Sequence, residues 1–397
     1  MEEETVNGAM SLPFLRLYLL VLLYFSANAI LNVIIPLQGG ALGANNTTIG
    51  LIMGAYLFTT MFFRPWAGQI IQKHGPIKVL RIILIMNGFA LILYTVTGLG
   101  GYLVARMLQG VSTAFFSMAL QIGIIDALPE KDRSQGISLY SLFSYIPGMV
   151  GPLVALGMWQ GGMNYFAFGM IAIALVTGVV GYTAKMDKPQ TQPSAENTDH
   201  HVNMFHSFGQ LVKNPHLFKS SVLMLVGSIV FGAITVFIPL YAEQMENGNA
   251  GIYLMLMAAT VVISRFTLRK RIPSDGKWHP KFMMGTMLLL ALGAQCVSYS
   301  IIGGVVFFYV GAVLLGVAQA ILYPTLTTYL SFVLPPLNRN VLLGLFIAMA
   351  DLGVSLGGIV MGPIADIFSY STMYQICAIL AMVMILFSME RRKILVR

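Results

Sequence analysis

Charge is what this sequence has least of. Asp, Glu, Lys and Arg make up 10% of its 397 residues, against about 25% in an ordinary soluble domain. A soluble fold with so few charges would leave broad apolar patches open to water. A soluble enzyme, a nucleic-acid module and a disordered chain are therefore excluded. Cysteine is scarcer still. The two present, Cys296 and Cys377, sit inside apolar stretches without CxxC spacing. They read as small buried hydrophobes, not as a disulfide framework or metal ligands. The sequence has no G-x-x-x-x-G-K-S/T phosphate loop and no H-E-x-x-H, so nothing supports an ATP-driven pump or a zinc intramembrane protease. No cofactor and no metal site is expected.

What is there is apolar. Hydrophobic residues make up 57% of the chain, mean hydropathy is +0.79, and the apolar runs approach the ~20 residues that cross a bilayer. The fold class is all-α integral membrane. Runs between charge and turn clusters predict twelve transmembrane helices, near 13–37, 48–71, 77–97, 100–127, 135–157, 163–184, 217–242, 250–268, 281–302, 304–333, 340–364 and 371–389. The first is too long for a signal-peptide core. One polar, Pro-bearing stretch, 185–216, interrupts the series and reads as a cytoplasmic linker between an N-terminal half, 1–184, and a C-terminal half, 217–397. Its tail, Met204 to Val212, has the pattern of a short surface helix. His200, His201 and His206 in the linker read as solvated loop residues, with metal binding as the lesser alternative.

The net charge of +8 follows position. Arg16, Lys73, Lys78, Arg81, Lys131, Arg133, the linker lysines, Arg269 to Lys281, Arg339 and the C-terminal cluster from Arg391 all fall in loops on one side, and the loops on the other side hold no Lys or Arg. The positive-inside rule makes that side, with both termini, cytoplasmic. Arg64 and Arg265 sit at or near the same face, which leaves one basic residue over, Arg106, inside the fourth helix.

The halves repeat. Val33-Ile34-Ile35-Pro36-Leu37 ends the first helix and Val236-Phe237-Ile238-Pro239-Leu240 the seventh, at an offset of 203; Gly50 and Arg64 match Gly251 and Arg265 at 201; Gly110, Pro129 and Arg133 match Gly316, Pro335 and Arg339 at 206, and Gly136 matches Gly344 at 208. Apolar residues align cheaply, but prolines and arginines do not. Two parallel six-helix repeats imply a substrate site between them and a rocking cycle.

At these positions the chain resembles a known family. Gly68, Ile70, Lys73, Gly75 and Lys78, between the second and third helices, resemble the loop motif of the major facilitator superfamily. That resemblance implies a glycine for close helix approach and charges that latch one conformation. Gln72 stands where the motif has an acid and Pro76 where it has a base. Arg106, Gln109 and Gly110 are similar to the family's Arg-x-x-Gln-Gly signature in the fourth helix. Pro147, Gly148, Gly151 and Pro152 resemble the fifth-helix motif of its antiporters, although Ala155 and Leu156 replace the trailing glycines. The antiporter motif implies small residues that bring helices 5 and 8 together. A narrower resemblance, in Gly8-Ala9-Met10-Ser11 and the run Tyr24 to Asn32, is to bacterial exporters of opine metallophores of the staphylopine type.

Individual polar residues suggest chemistry. Arg106 begins about six residues from the outer end of its helix, roughly 8–10 Å deep at 1.5 Å per residue. An ionised guanidinium there costs at least ~2.5 kcal/mol unless it is paired or hydrated. It reads as a fork for a substrate carboxylate, with a fixed ion pair or hydrogen bonds to carbonyls as the alternative. Asp351 is the one carboxylate near mid-depth and fits a proton carrier; a hydrogen bond among Gly353, Gly357 and Gly358 is the competing reading. Asp126, near the cytoplasmic end of the fourth helix, is a second proton candidate, with a gate ion pair as its plainer role. Tyr24, Asn28 and Asn32 recur every four residues on one face of the first helix. Gln109, Thr113, Ser117 and Gln121 join Arg106 on the fourth helix, and Gln319 and Tyr323 lie on the tenth. Each is a substrate-contact candidate, with helix–helix hydrogen bonding as its alternative.

These readings make the chain a secondary transporter, not an enzyme. It is a multi-pass protein of the bacterial cytoplasmic membrane and a monomer, whose partners are a small-molecule substrate, protons and the lipid bilayer. The expected activity is proton-coupled efflux of a small polar or zwitterionic solute such as an opine-type metallophore. Alternatives are a multidrug or metabolite efflux antiporter, an importer on the same fold, or a non-transporting membrane receptor. The repeat counts against the receptor, which has no need of two equivalent halves.

Overall fold

The computed structural model describes residues 8–184, 209, 211, 213–268, 271–273, 275–335 and 339–389; the side chains of Gln72, Ile125, Asp126, Glu130, Lys131, Ser134 and Asn340 lie outside that description. The greater part of the linker, with its three histidines and the predicted surface helix, also lies outside it. The described residues form helices only. In chain order these are α1 (Leu12–Ala41), α2 (Asn46–His74), α3 (Pro76–Val96), α4 (Leu99–Ala127), α5 (Glu130–Gly161), α6 (Met163–Thr183), α7 (Pro215–Ala242), α8 (Ala250–Thr267), α9 (Pro280–Gly303), α10 (Val305–Val333), α11 (Arg339–Ile359), α12 (Met361–Ile367) and α13 (Tyr370–Ser388).

Among the described residues twelve spans are long and apolar enough to cross a membrane, with α11 and α12 together making one of them. This matches the predicted number and order. The eleventh span is broken where the sequence suggested one helix. Pro363 has no N–H to return to the carbonyl of Ile359, four residues back, and the helix interrupts there. Helix starts follow local chemistry: α3, α7 and α9 open on Pro76, Pro215 and Pro280, where a missing N–H costs nothing. Asn214 and Asn249 cap α7 and α8 through their side-chain oxygens. Gly75 joins α2 to α3 at φ 82°, a conformation that disfavours any residue with a Cβ.

The helices group into two compact units. One holds α1 as far as Gln38, α2 from Ala55 onward, and α3 to α6; the other holds Gly39–Gly54 and α7 to α13. The core of the first is built from Leu17, Leu20 and Val21 of α1, Ala67 and Ile71 of α2, Leu80, Ile83 and Leu84 of α3, and Phe116, Ala119 and Leu120 of α4. In the second, α7 packs on α11 and α13, and α9 on α10 and α13.

Each unit uses the same close contacts. In the first, a Cβ on Gly110 of α4 would collide with the Tyr56 carbonyl oxygen and the Thr59 Cβ of α2; in the second, a Cβ on Gly316 of α10 would lie 2.7 Å from the Met257 carbonyl and 2.8 Å from the Thr260 Cβ of α8. The glycines differ by 206 in number and their partners by 201, the offsets visible in the sequence repeat. A second pair agrees. Gly151 of α5 would meet the Ala29 Cβ at 2.6 Å, and Gly357 of α11 would meet the Gly232 Cα at 2.8 Å, at offsets of 206 and 203. The duplication thus survives as a duplicated packing geometry.

Candidate functional site

The fourth helix carries Arg106 into the interior of the first unit, where its side chain is 0% exposed. Its guanidinium donates through Nη1 to Asn28 Oδ1 at 2.8 Å and through Nη2 to Asn32 Oδ1 at 2.8 Å. A longer contact joins Nη1 to Gln109 Oε1 at 3.4 Å, and the Tyr56 ring lies under the guanidinium carbon at 5.2 Å. The three oxygens are amide carbonyls. They solvate the cation, and the ring face adds a cation–π term. Asn28 and Asn32 meet one fork because they stand four residues apart on α1, on the same face.

This arrangement fixes which way the amides point. A guanidinium only donates, so both asparagines must turn Oδ1 toward Arg106. Their NH2 groups are left on the other side, and both residues are half-buried, not enclosed. The result is a pair of N–H donors backed by a positive charge. Gln109 is held in turn by the Tyr94 hydroxyl, which donates to Oε1 at 2.9 Å.

A second polar knot lies one to two turns further along α4. Thr113 Oγ1 is 2.9 Å from the Tyr24 hydroxyl and 2.9 Å from the Tyr56 hydroxyl, which one hydroxyl can satisfy together. Tyr24 is fixed by stacking on Phe116, with centroids 3.7 Å apart and planes at 10°. Tyr56 therefore spans both knots, its ring under Arg106 and its hydroxyl on Thr113.

The structure brings Asn28, Asn32, Arg106 and Gln109 together and ties Tyr24 to them through Thr113 and Tyr56. For Arg106 it contains the carbonyl hydrogen bonds named as the alternative to a carboxylate grip. Gln121 stands apart, fifteen residues along α4 from Arg106 and so about 22 Å along the helix axis. It lines a cavity of about 150 Å³ with Ile124, Ile137, Tyr140 and Ser141. Gln319 and Tyr323 belong to the second unit. Gln319 is half-buried, and Tyr323 stacks on Phe346 of α11 at 6.0 Å. Asp351 is half-buried in α11. Gly353 and Gly357 contact Leu225, Ser228 and Ile229 of α7. Asp351, two residues before Gly353, lies about 200° around the helix from it, away from that seam. The side chain of Asp126 lies outside the described residues.

The motif residues divide likewise. Gly75 takes the left-handed turn noted above. Gly68 has only ordinary contact, with Met118 Cε at 3.5 Å, and Lys73 and Lys78 are exposed. Pro147 and Pro152 are buried inside α5. Gly151 abuts Ala29 of α1, so its small size serves a contact with the helix that carries Asn28. Tyr56 and Tyr94 escaped the sequence reading. A tyrosine in an apolar helix carries no periodic signal, and only the fold shows its hydroxyl reaching a buried polar group.

The family model for the Major Facilitator Superfamily matches residues 17–273 and 275–394. The chain belongs to the major facilitator superfamily. As a member of that superfamily it is a multi-pass membrane transporter and not an enzyme. This transporter is 55% identical, over 98% of either chain, to the staphylopine export protein of Staphylococcus aureus (strain Mu50 / ATCC 700699). Among solved structures, a point mutant of the nucleoside transporter NupG is similar with a TM-score of 0.78 and 16% identity, covering 94% of this chain and 98% of that one. A bacterial homolog of the human lysosomal transporter Spinster is similar with a TM-score of 0.70 and 14% identity, covering 94% and 93%. At those identities the solved structures establish the fold alone.

Proposed function

We propose that this transporter exports a small zwitterionic solute of the opine-metallophore class across the cell membrane, in exchange for protons, with both termini and the 185–216 linker on the cytoplasmic side. The observation that carries the substrate class is the 55% identity, across 98% of both chains, to a protein named for staphylopine export. The geometry supplies a matching chemistry. Opines carry several carboxylates around a secondary amine, and a carboxylate binds best to convergent N–H donors near a positive charge. The NH2 groups of Asn28 and Asn32, whose Oδ1 atoms are taken by Arg106, offer such donors.

In this reading Arg106 positions the asparagines and supplies the charge behind them. Substrate carboxylate meets the Asn28 and Asn32 donors, Gln109 and Tyr94 hold the fork from behind, and Tyr24 is fixed by the Thr113–Tyr56 knot. Gln121 belongs to a separate stretch of the path, and Gln319 and Tyr323 supply contacts from the C-terminal half. Asp351 carries the proton, because a mid-membrane carboxylate is costly when ionised and so is poised to exchange one. The orientation rests on the Lys/Arg distribution.

The test is uptake into proteoliposomes holding inside-out protein, with an outward-directed proton gradient and either staphylopine or a lipophilic cationic dye as the offered solute. Accumulation of staphylopine that collapses with the gradient supports the proposal. Accumulation of the dye alone overturns the substrate class, and gradient-independent accumulation overturns the coupling.

A further inference from the structure

The first turns of α2 are held by an unusual fastening, both sides of which lie in the second unit. The Asp366 carboxylate, in α12, accepts from Asn46 N at 2.8 Å through Oδ1, and from Thr47 N at 2.8 Å and Thr47 Oγ1 at 2.5 Å through Oδ2. It thereby satisfies backbone donors that a helix start leaves without partners. The Tyr370 hydroxyl donates to Asn46 Oδ1 at 2.5 Å. Beyond this clasp, backbone meets backbone. A Cβ on Gly362 would sit 2.6 Å from the Asn46 carbonyl, one on Gly358 would sit 2.7 Å from the Gly50 carbonyl, and one on Gly54 would sit 2.7 Å from the Ser355 carbonyl. Ser355 Oγ donates to the Gly54 carbonyl at 2.8 Å.

Asn46–His74 is one helix, yet Gly54 groups with the second unit and Ala55 with the first. In a carrier whose cycle rocks one repeat against the other, residues 46–54 cannot keep both allegiances throughout. The seam is also made to part. The contact is glycine on glycine only at Gly50 and Gly358, while the side chains of Phe237 and Ile359 reach Gly50 and Gly54, so few large side chains have to separate there. The clasp hydrogen bonds are exposed, so water can replace them.

We propose that the Asp366 clasp on Asn46 and Thr47 is a latch released once per transport cycle, with Asp366 as a positioning residue for that conformational step. The proposal needs the family's rocking cycle but not the substrate assigned above, and its test uses no substrate. Ser355, 1% exposed, reports the seam when it is replaced by cysteine. A charged, hydrophilic maleimide is applied to the purified full-length Ser355→Cys protein, and labelling is followed by peptide mass spectrometry. Cys377, fully buried in α13, is the internal control. Adding Asp366→Asn is expected to raise the labelling rate of the new cysteine at least fivefold, Asp366→Glu to restore a rate near the parent's, and Tyr370→Phe to raise it at least twofold, with Cys377 unlabelled throughout. If Asp366→Asn does not fold, Tyr370→Phe decides alone. Parent-like labelling in every folded variant, or labelling of Cys377 in step with Ser355→Cys, overturns the latch.

Discussion

Arg106 donates to the side-chain oxygen of Asn32 at 2.8 Å, across 74 residues of sequence. The bond sets the direction of the asparagine amide as well as the place of the arginine. Pro36, four residues on in α1, cannot return a hydrogen bond to the Asn32 backbone carbonyl, so the polar character of this turn is doubled. A buried cation and two oriented amides form one device.

Arg106→Lys should lose nearly as much transport as Arg106→Ala. A guanidinium reaches Asn28 and Asn32 through two nitrogens of a rigid fork, whereas an ammonium is one point on a flexible stem. We expect at least a tenfold fall in transport rate for both variants at equal membrane abundance. Near-normal export by the lysine variant would mean that charge alone matters at this position.

Gly110→Ala and Gly316→Ala should destabilise the protein to similar degrees. Each added methyl meets a carbonyl oxygen and a threonine Cβ on the neighbouring helix, and such overpacking costs about 1–3 kcal/mol. Thermal unfolding in detergent checks this. A clear loss in one variant and none in the other would contradict the duplicated contact.

Gly151→Leu should weaken substrate binding as well as stability. Gly151 faces the Ala29 Cβ, and Ala29 adjoins Asn28, so bulk at 151 displaces the turn that carries an N–H donor. Titration calorimetry with staphylopine should show roughly tenfold weaker binding, a loss of about 1.4 kcal/mol. Unchanged affinity would separate this glycine from the site.

Asp351→Asn should abolish proton coupling and leave binding intact. The amide keeps the size and hydrogen-bonding capacity of the carboxylate but does not titrate. Substrate-triggered proton movement in proteoliposomes is the readout. Full coupling in the asparagine variant would remove Asp351 from the proton path and direct attention to Asp126.

Much of this was legible in the sequence because membrane physics is repetitive. Helix lengths follow bilayer thickness, and Arg106, Asn28 and Asn32 stood out because polar groups at mid-depth are rare and their spacing puts them on set faces. The repeat offsets identified Gly110 and Gly316 before their contacts were known. What stayed hidden depends on contacts between distant segments. Tyr56 and Tyr94 look like any aromatic in an apolar helix. Asp366 looks like a carboxylate near a helix end, and nothing in its neighbours reveals that it caps α2 some 320 residues earlier. The direction of the amides is likewise a consequence of the bond to Arg106, not of composition.

N–H donors of Asn28 and Asn32, oriented by Arg106, recognise a substrate carboxylate in this proposal. Asn32→Asp tests it most directly, through the Kd of the purified protein for staphylopine measured beside its Tm. An aspartate at 32 would pair with Nη2 of Arg106, removing one N–H donor and placing a negative charge at the site while strengthening the buried contact. The account predicts at least a tenfold weaker Kd with a Tm no lower than that of the unsubstituted protein. An unchanged Kd at unchanged Tm would contradict it and leave Arg106, Asn28 and Asn32 as packing hydrogen bonds alone.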